Sequence, residues 1–130
     1  MLDRIEFLIE TDILVGHLIH NNSSQLSDLE LAMTIGICFT TSINSSEMYF
    51  FAATEEERDA VHCMMRSINI LGIHPRYSLN ISEFFNKVAT TRDAMICSLA
   101  KNNKLPILTA QIQKFKESGI KIISPKELRG

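Results

Sequence analysis

The hydrophobic pattern of the chain changes character within its first twenty residues. Ile5 to Ile9 form an apolar run short enough to be a buried strand. The apolar residues that follow have the i, i+1, i+4, i+5 spacing of a helix that covers a sheet, at Leu14, Val15, Leu18 and Ile19. The period changes from two to 3.6 at Thr11-Asp12, so an acidic residue is predicted at the carboxyl end of a strand that could be the central one.

The same alternation of strands and helices continues along the chain. The pattern predicts further strands at 35–41, 69–73, 105–108 and 120–123, and helices at 25–34, 43–53, 54–68, 81–88, 91–103 and 110–118. Because the strands are nearly continuous apolar runs, we expect an α/β fold with a parallel sheet covered on both faces. The pattern leaves the strand order open. Large side chains predicted to face inward include Leu26, Met33, Phe50, Phe51 and Phe85.

Length and composition predict an ordinary globular protein. The 130 residues fit one domain spanning 1–130, and 45% apolar and 22% charged residues are typical values. A formal net charge of -2 argues against a protein that holds nucleic acid by bulk positive charge. It leaves open a protein that meets phosphate through a bound metal.

The N-terminus and the cysteines predict a cytoplasmic protein. Four charged residues among the first ten interrupt any secretory signal, and no apolar run approaches the length that crosses a bilayer. Cys38, Cys63 and Cys97 are odd in number, lack CxxC spacing and lie in apolar segments. We interpret them as buried thiols in a reducing compartment.

Three acidic residues fall near predicted strand-to-helix junctions: Asp12, Glu47 and Asp93. If these junctions share one edge of the sheet, three anionic groups converge where open α/β sheets bind ligands. Mutual repulsion would favour a divalent cation there. Oxygen-only ligands suit Mg²⁺ or Mn²⁺ better than Zn²⁺.

Each acid also has a structural alternative. Asp12 could simply cap the helix that follows it. Asn44-x-x-Glu47 and Thr90-x-x-Asp93 both fit the capping-box pattern, which would explain an acid in a first helical turn without any chemistry. The sequence by itself leaves these alternatives open.

Four segments together resemble the PIN-domain ribonucleases, in particular the VapC-like toxins of type II toxin–antitoxin modules. The segments are TDIL at 11–14, TSINSSE at 41–47, RDAMICSLA at 92–100 and LPILT at 105–109. They are similar to the family's opening Asp motif, its hydroxyl-to-glutamate segment, its Asp-Ala-x-Ile-Ala-Ala helix and its closing strand. The resemblance implies a three-layer α/β/α sandwich with a mostly parallel sheet of four to five strands.

The resemblance also implies roles for individual residues. Asp12, Glu47 and Asp93 would be the principal acids, binding one or two Mg²⁺ or Mn²⁺ ions. The family's fourth acidic or amide position falls on Gln111, whose neutral oxygen leaves metal affinity and metal number open. Thr109 would be a supporting hydroxyl, and Thr41 a second.

The implied activity is metal-dependent hydrolysis of RNA phosphodiester bonds by the toxin of a toxin–antitoxin pair. The implied partners are RNA, a cognate antitoxin protein and a second copy of the chain in a homodimer. Cations predicted near the rim of the site could follow the RNA backbone, namely Arg92, Lys101, Lys114 and Lys116.

Two other functions compete with this one. The first is a PIN-like module that binds RNA or protein with weakened catalysis, which the neutral Gln111 favours. The second is a small receiver-like α/β domain. Receivers need an adjacent acidic pair after the first strand and a lysine at the end of a late strand, and neither is visible in this sequence.

Overall fold

The computed structural model describes residues 4–130, so Asp3 of the charged N-terminus lies outside the described residues. Its centre is a sheet of five parallel strands in the order β3-β2-β1-β4-β5. The strands are β1 (Ile5–Ile9), β2 (Gly36–Thr41), β3 (Asn69–Leu71), β4 (Ile107–Leu108) and β5 (Ile122–Ile123).

Helices connect these strands and cover both faces of the sheet. Along the chain they are α1 (Thr11–Ile19), α2 (Asp28–Ile35), α3 (Ser42–Phe51), α4 (Glu55–Met65), α5 (Pro75–Leu79), a 3-10 helix (Ile81–Phe84), α6 (Thr91–Asn103), α7 (Ile112–Phe115) and α8 (Pro125–Arg129). The prediction of a three-layer α/β/α fold with a parallel sheet is confirmed.

Strand β1 is the centre of the sheet, with β2 on one side and β4 on the other. The chain builds the sheet outward from β1 to β3, then returns to place β4 against the other side of β1. This reversal is a topological switch point, and it opens a crevice at the carboxyl ends of β1 and β4.

Alternation along β1 divides the core into two parts. Phe7 and Ile9 pack on one face with buried residues of α1, α2 and α4, whereas Leu8 packs on the opposite face with residues of α6 and the 3-10 helix. Because β1 is covered on both faces, its apolar run is continuous rather than alternating. Packing on both faces holds β1 in place and so fixes the position of its carboxyl end.

Several inward-facing predictions are wrong. Helix α1 buries only a narrow stripe at Ile13 and Leu14. The predicted helix at 81–88 is instead a 3-10 helix that ends at Phe84, which is buried. The large side chains that are exposed despite the prediction are Val15, Ile19, Leu26, Met33, Phe50, Phe51 and Phe85.

Predicted boundaries also moved where capping decides the helix start. Helix α2 begins at Asp28 rather than 25, because Ser27 and Glu30 form a reciprocal capping box. Helix α3 is capped by Thr41 and Asn44, so Glu47 lies beyond its first turn and the Asn44-x-x-Glu47 capping alternative is wrong. Helix α7 has four residues, much less than the predicted 110–118.

Two of the three cysteines match the prediction. Cys38 and Cys97 are buried, and burial raises the pKa of their thiols to about 11 and about 12. Cys63 is exposed on α4, so the prediction that it is buried is wrong. Within residues 4–130, none of the helices is both long enough and apolar enough to cross a bilayer.

The close approach of β1 to the start of β2 predicts that alanine substitutions at Gly36 and Gly16 have opposite effects on stability. An alanine Cβ at Gly36 would overlap the backbone carbonyl oxygen of Ile5, so Gly36→Ala should lower the free energy of unfolding by about 2 kcal/mol or more. Gly16, inside α1, has open space around the same position. Gly16→Ala should therefore raise stability by about 0.5–1 kcal/mol. Urea denaturation of both variants measures the difference, and equal effects would contradict the close approach at Gly36.

Candidate active site

The crevice at the switch point is a cleft of about 680 Å³. It lies beside the carboxyl ends of β1 and β4 and the N-terminus of α6. Its lining is mainly charged and polar, with residues Glu10, Thr11, Asp12, Val15, Glu47, Phe51, Thr90, Arg92, Asp93, Gln111 and Lys114.

Glu10 is the acid that lies deepest in the cleft. It follows β1 directly and caps α1, and one of its carboxylate oxygens accepts a hydrogen bond from the backbone N–H of Thr11 at 3.1 Å. Its side chain is 2% exposed. An ionised carboxylate at this depth requires compensation by charge and by several hydrogen bonds.

Glu47 and Asp93 reach the same place from two other helices. Glu47 extends from α3, and the hydroxyl of Thr11 donates to its Oε1 at 2.6 Å. Asp93 lies in the first turn of α6, where the Thr90 side chain caps the helix by accepting from the Asp93 N–H at 3.1 Å. Three separate segments of the chain therefore deliver one carboxylate each.

The guanidinium of Arg92 lies at the point where these carboxylates converge. Nη1 and Nη2 donate to the two oxygens of Glu10 at 2.8 and 2.7 Å. Nε and Nη2 donate to the two oxygens of Glu47 at 3.1 and 2.7 Å, and Nη1 donates to Asp93 at 3.0 Å. One planar cation thus binds two carboxylates in bidentate fashion and touches a third.

Lys114, from α7, adds a second positive charge at longer range. Its Nζ is 3.5 Å from Glu10 and 3.4 Å from Asp93. Three negative charges therefore face two positive charges, leaving one net negative charge in the cluster. This balance differs from the uncompensated acidic cluster that the sequence predicted.

The ion pairs determine the acidity of the two glutamates. Burial alone would raise the pKa of Glu10, but hydrogen bonds and the charge of Arg92 outweigh it and hold that pKa below the ordinary glutamate value. The pKa of Glu47 is lowered in the same way, by Arg92 and Thr11 against burial. Both side chains are therefore carboxylates at neutral pH.

A buried amide holds this cluster to the sheet. Asn44 donates from Nδ2 to Glu10 at 2.8 Å and to the hydroxyl of Thr11 at 2.9 Å. Its own Oδ1 accepts from the hydroxyl of Thr41 at 2.6 Å. Thr41, predicted as a supporting hydroxyl, thus acts through Asn44 and makes no direct contact with the carboxylates.

Asp12 occupies a different part of the cleft. Its two oxygens accept from the hydroxyl of Thr109 and from the backbone N–H of Ala110, both at 2.9 Å. These bonds join α1 to the loop that follows β4. The structure therefore brings Glu47 and Asp93 together around Arg92 with Glu10, while Asp12 is bound to the neighbouring loop.

The other predicted site residues make no hydrogen bond to the carboxylates around Arg92 in the described part of the chain. Gln111 lines the cleft with an exposed side chain, and its backbone N–H donates to the Thr109 hydroxyl at 3.0 Å. Lys116 is exposed just beyond α7. Lys101 pairs with Glu83 and lies about 12 Å along α6 from Asp93, eight residues at 1.5 Å each.

The carboxylates do not fit a metal ion in this arrangement. Within residues 4–130, no group of three or more histidine, cysteine, aspartate or glutamate side chains is arranged to hold one. The reason is visible in the contacts, because the Arg92 guanidinium already uses the oxygens of Glu10 and Glu47. Oxygen-only donors have the right chemistry for Mg²⁺ or Mn²⁺, but the Arg92 guanidinium occupies the position between them.

Comparison with known proteins identifies the fold family. The model of the PIN domain matches residues 7–117, which is most of the chain and includes every carboxylate of the cleft. The chain belongs to the PIN domain family. No curated protein matches it significantly.

Solved structures share the PIN fold with this chain at low sequence identity. The chain matches 92% of its length to 98% of a chain in VapBC2 from Rickettsia felis bound to a DNA fragment from their promoter, at TM-score 0.78 and 15% identity. VapBC-1 from nontypeable Haemophilus influenzae matches over 94% of this chain and 99% of the other, at TM-score 0.76 and 12% identity. A toxin–antitoxin complex from Klebsiella pneumoniae matches over 92% and 97%, at TM-score 0.73 and 18% identity.

The sequence interpretation missed the place of Glu10 in this PIN domain. It assigned the opening acid of the motif to Asp12, two residues further on. The available signal was position, because Glu10 is the first residue after the apolar run of β1 and so lies nearest the sheet edge. The role of Arg92 as the cation among the acids was likewise missed, although it adjoins Asp93 in the sequence.

The ion pairs of the PIN-domain cleft predict a pH-dependent effect of Glu10→Gln. Because the folded pKa of Glu10 is lowered, its contribution to stability is present above the ordinary value of 4.5 and is lost as pH falls through the folded value. We expect Glu10→Gln to cost about 2–3 kcal/mol at pH 7, below the ~3–5 kcal/mol of a fully buried pair because Arg92 is 24% exposed.

Urea denaturation at pH 7 and at pH 3 measures this effect. The gap between wild type and Glu10→Gln should narrow at pH 3, because the Glu10 carboxyl is then largely protonated in the unfolded chain and part of its stabilising contribution has been lost. The exposed Glu83, paired with Lys101, supplies the matched control, and Glu83→Gln should stay within about 0.5 kcal/mol of wild type. A gap that is unchanged between the two pH values would contradict the ionised state of Glu10.

Proposed function

We propose that this PIN domain is an endoribonuclease of the toxin type, which hydrolyses RNA phosphodiester bonds. The observation that carries the proposal is the convergence of Glu10, Glu47 and Asp93 at the switch point of a parallel sheet. The PIN domain family generally consists of nucleases, and the solved structures with this fold are toxin–antitoxin complexes. Carboxylates fixed at such an edge are suited to organise the hydrolysis of a phosphate ester.

The cofactor of the proposed reaction is Mg²⁺ or Mn²⁺, since PIN nucleases generally use divalent metals and the cleft offers oxygen ligands. The arrangement described above, with Arg92 among the acids, is then a resting one.

The proposed catalytic carboxylates differ from those of the sequence interpretation at one position, where Glu10 replaces Asp12. Glu10, Glu47 and Asp93 are the proposed catalytic carboxylates, because they share one cation and one position in the cleft. Asp12 is proposed as a positioning residue that holds the loop after β4 through Thr109. Gln111 lies on that loop beside the cleft, as a weaker candidate ligand.

Contacts with the RNA backbone are proposed for cations on the rim. Lys114 lines the cleft, so it is close enough to meet a phosphate that enters, and Lys116 is an exposed cation two residues further along the chain. Lys101 is a weaker candidate because Glu83 already pairs with it. Arg92 has its donors occupied by the carboxylates and would have to leave them first.

The proposal includes an antitoxin partner, a homodimer and a cytoplasmic location. The toxin–antitoxin complexes that share the fold support the partner. Exposed apolar residues at the end of α3, Phe50 at 74% and Phe51 at 77%, offer area for a protein contact. The free cysteines agree with a reducing compartment.

A second candidate function is a PIN-like module that binds RNA or protein without cleaving it. The observation that favours it is the charge balance of the cleft. With Arg92 and Lys114 in place the acids are largely compensated, so the fold needs no metal to be stable. The two cations offset two of the three negative charges, which reduces the repulsion that an anionic partner would meet at the cleft.

Cleavage of RNA with and without chelator distinguishes the two functions. We expect wild type to cut RNA in Mn²⁺ or Mg²⁺ and to stop in excess chelator. Glu10→Gln and Asp93→Asn should each lose roughly 100-fold or more in rate, as expected for a group that organises the reacting charges. Asp59→Asn, on the exposed face of α4, is the matched control and should keep the wild-type rate.

Asp12→Asn separates the two assignments of the opening acid. If Asp12 is a positioning residue, the variant should retain more activity than Glu10→Gln. Equal and complete loss in both would support direct participation of Asp12. Wild-type protein that binds RNA but leaves it intact in every metal would favour the binding module.

A further inference from the structure

Arg92 acts as a counter-ion that belongs to the chain itself. Among the described side chains that line the cleft, it makes the most hydrogen bonds to other cleft residues. Its three nitrogens make six hydrogen bonds, five to the carboxylates and one to Thr11 at 3.2 Å. Burial alone would lower the pKa of Arg92, but the hydrogen bonds that it donates to Glu10 and Glu47 raise that pKa above its usual range. The side chain is therefore always charged in this position.

This position is costly for a cation unless the acids are present. Arg92 lies in the first turn of α6, at the positive end of the helix dipole, where positive charge is disfavoured by about 0.3–1 kcal/mol. Its placement is thus explained by the three carboxylates and not by the helix. Conversely, Glu10 at 2% exposure depends on this cation for its ionised state.

A divalent ion would need the same oxygens. Both oxygens of Glu10 and both of Glu47 accept from Arg92, and the Asp93 oxygen that binds Arg92 also faces Lys114. A metal ion and the guanidinium bound to the same oxygens would bring two positive charges within a few ångströms of each other, where they repel strongly. Metal binding and Arg92 binding therefore compete at these carboxylates.

The guanidinium of Arg92 lies near the surface of the protein, where it can leave the carboxylates. Arg92 is 24% exposed and Glu47 is 31% exposed, so the guanidinium lies on the solvent side of Glu10. An arginine side chain has several rotatable bonds, so release of the guanidinium requires only a change of side-chain rotamer. The competition can then be resolved by rotation of one side chain.

We propose that Arg92 is a built-in competitor for the divalent cation, so that the chain binds metal only in the minor population in which Arg92 has left Glu10 and Glu47. This inference rests on the proposed metal dependence and adds a regulatory element that belongs to the chain itself. The apparent dissociation constant is raised by the reciprocal of the fraction of chains with Arg92 displaced. If that fraction is about a tenth or less, removing the guanidinium tightens metal binding roughly 10-fold or more.

The experiment measures Mn²⁺ binding without RNA. Free Mn²⁺ is counted by electron paramagnetic resonance during titration of wild type, Arg92→Gln and Arg92→Lys, each first shown to be folded by circular dichroism. We expect Arg92→Gln to bind Mn²⁺ roughly 10-fold or more tightly than wild type. Arg92→Lys, which keeps a charge but loses the planar fork, should fall between them and serves if Arg92→Gln does not fold.

Two matched variants test where the metal goes. Arg129→Gln removes an arginine that pairs with Asp28 away from the cleft, and it should bind Mn²⁺ as wild type does. Adding Glu47→Gln to Arg92→Gln removes one of the carboxylates that the metal would inherit. The double variant should lose most of the gain.

Equal affinity of wild type and both Arg92 variants would overturn the competition. A gain that survives in the double variant would also overturn it, because the metal would then bind elsewhere. The nuclease proposal fails separately, through the RNA cleavage assay. Tighter Mn²⁺ binding by an Arg92 variant of a protein that cuts no RNA would keep this inference and reject the nuclease.

Discussion

The ion pairs between Arg92 and the carboxylates of Glu10, Glu47 and Asp93 are the interaction on which the cleft depends. They join α1, α3 and α6 through one guanidinium, with bonds of 2.7–3.1 Å. Three acids so close to one another would repel strongly at low dielectric, and Glu10 is almost fully removed from water. The positive charge of Arg92 offsets this repulsion and links the three segments that carry the acids. The guanidinium also engages both oxygens of Glu10 and both of Glu47 in hydrogen bonds within the chain.

Parallel strand topology explains why these residues meet at all. Glu10 follows β1, Glu47 lies on the helix after β2, and Asp93 begins the helix that leads to β4. Since β2 and β4 flank β1, the segments that carry the acids end at one edge of the sheet. Hydrogen bonds from Thr11 to Glu47 and from Asn44 to Glu10 then hold two of the carboxylates in place. Fold and site are therefore determined by the same strand order.

The fold was more predictable from the sequence than the site was. Apolar runs such as that of β1 determine strand, face and parallel pairing, because burial on both faces leaves little alternative. The sequence interpretation placed the opening acid at Asp12, whereas Glu10 is the acid that lies nearest the sheet edge. A motif of a few residues does not fix its register to within two positions, so the sequence did not single out Glu10. The role of Arg92 was not predictable from periodicity, because only the folded chain shows three distant carboxylates around a residue at a helix start. The exposure of Phe50 and Phe51 was missed for a related reason, because helical spacing shows which residues share a face but not whether another element covers that face.

The order of the segments along the chain has a consequence for synthesis. Strands β1, β2 and β3 and their helices are made first, and they carry Glu10 and Glu47 without any cation to balance them. Arg92 and Asp93 leave the ribosome roughly eighty residues after Glu10, followed by β4, which pairs with β1 through only two residue pairs. Two of the three acids are therefore synthesised before the arginine that pairs with them. Because Arg92 precedes Asp93 by one residue, the third acid is never made without its counter-ion.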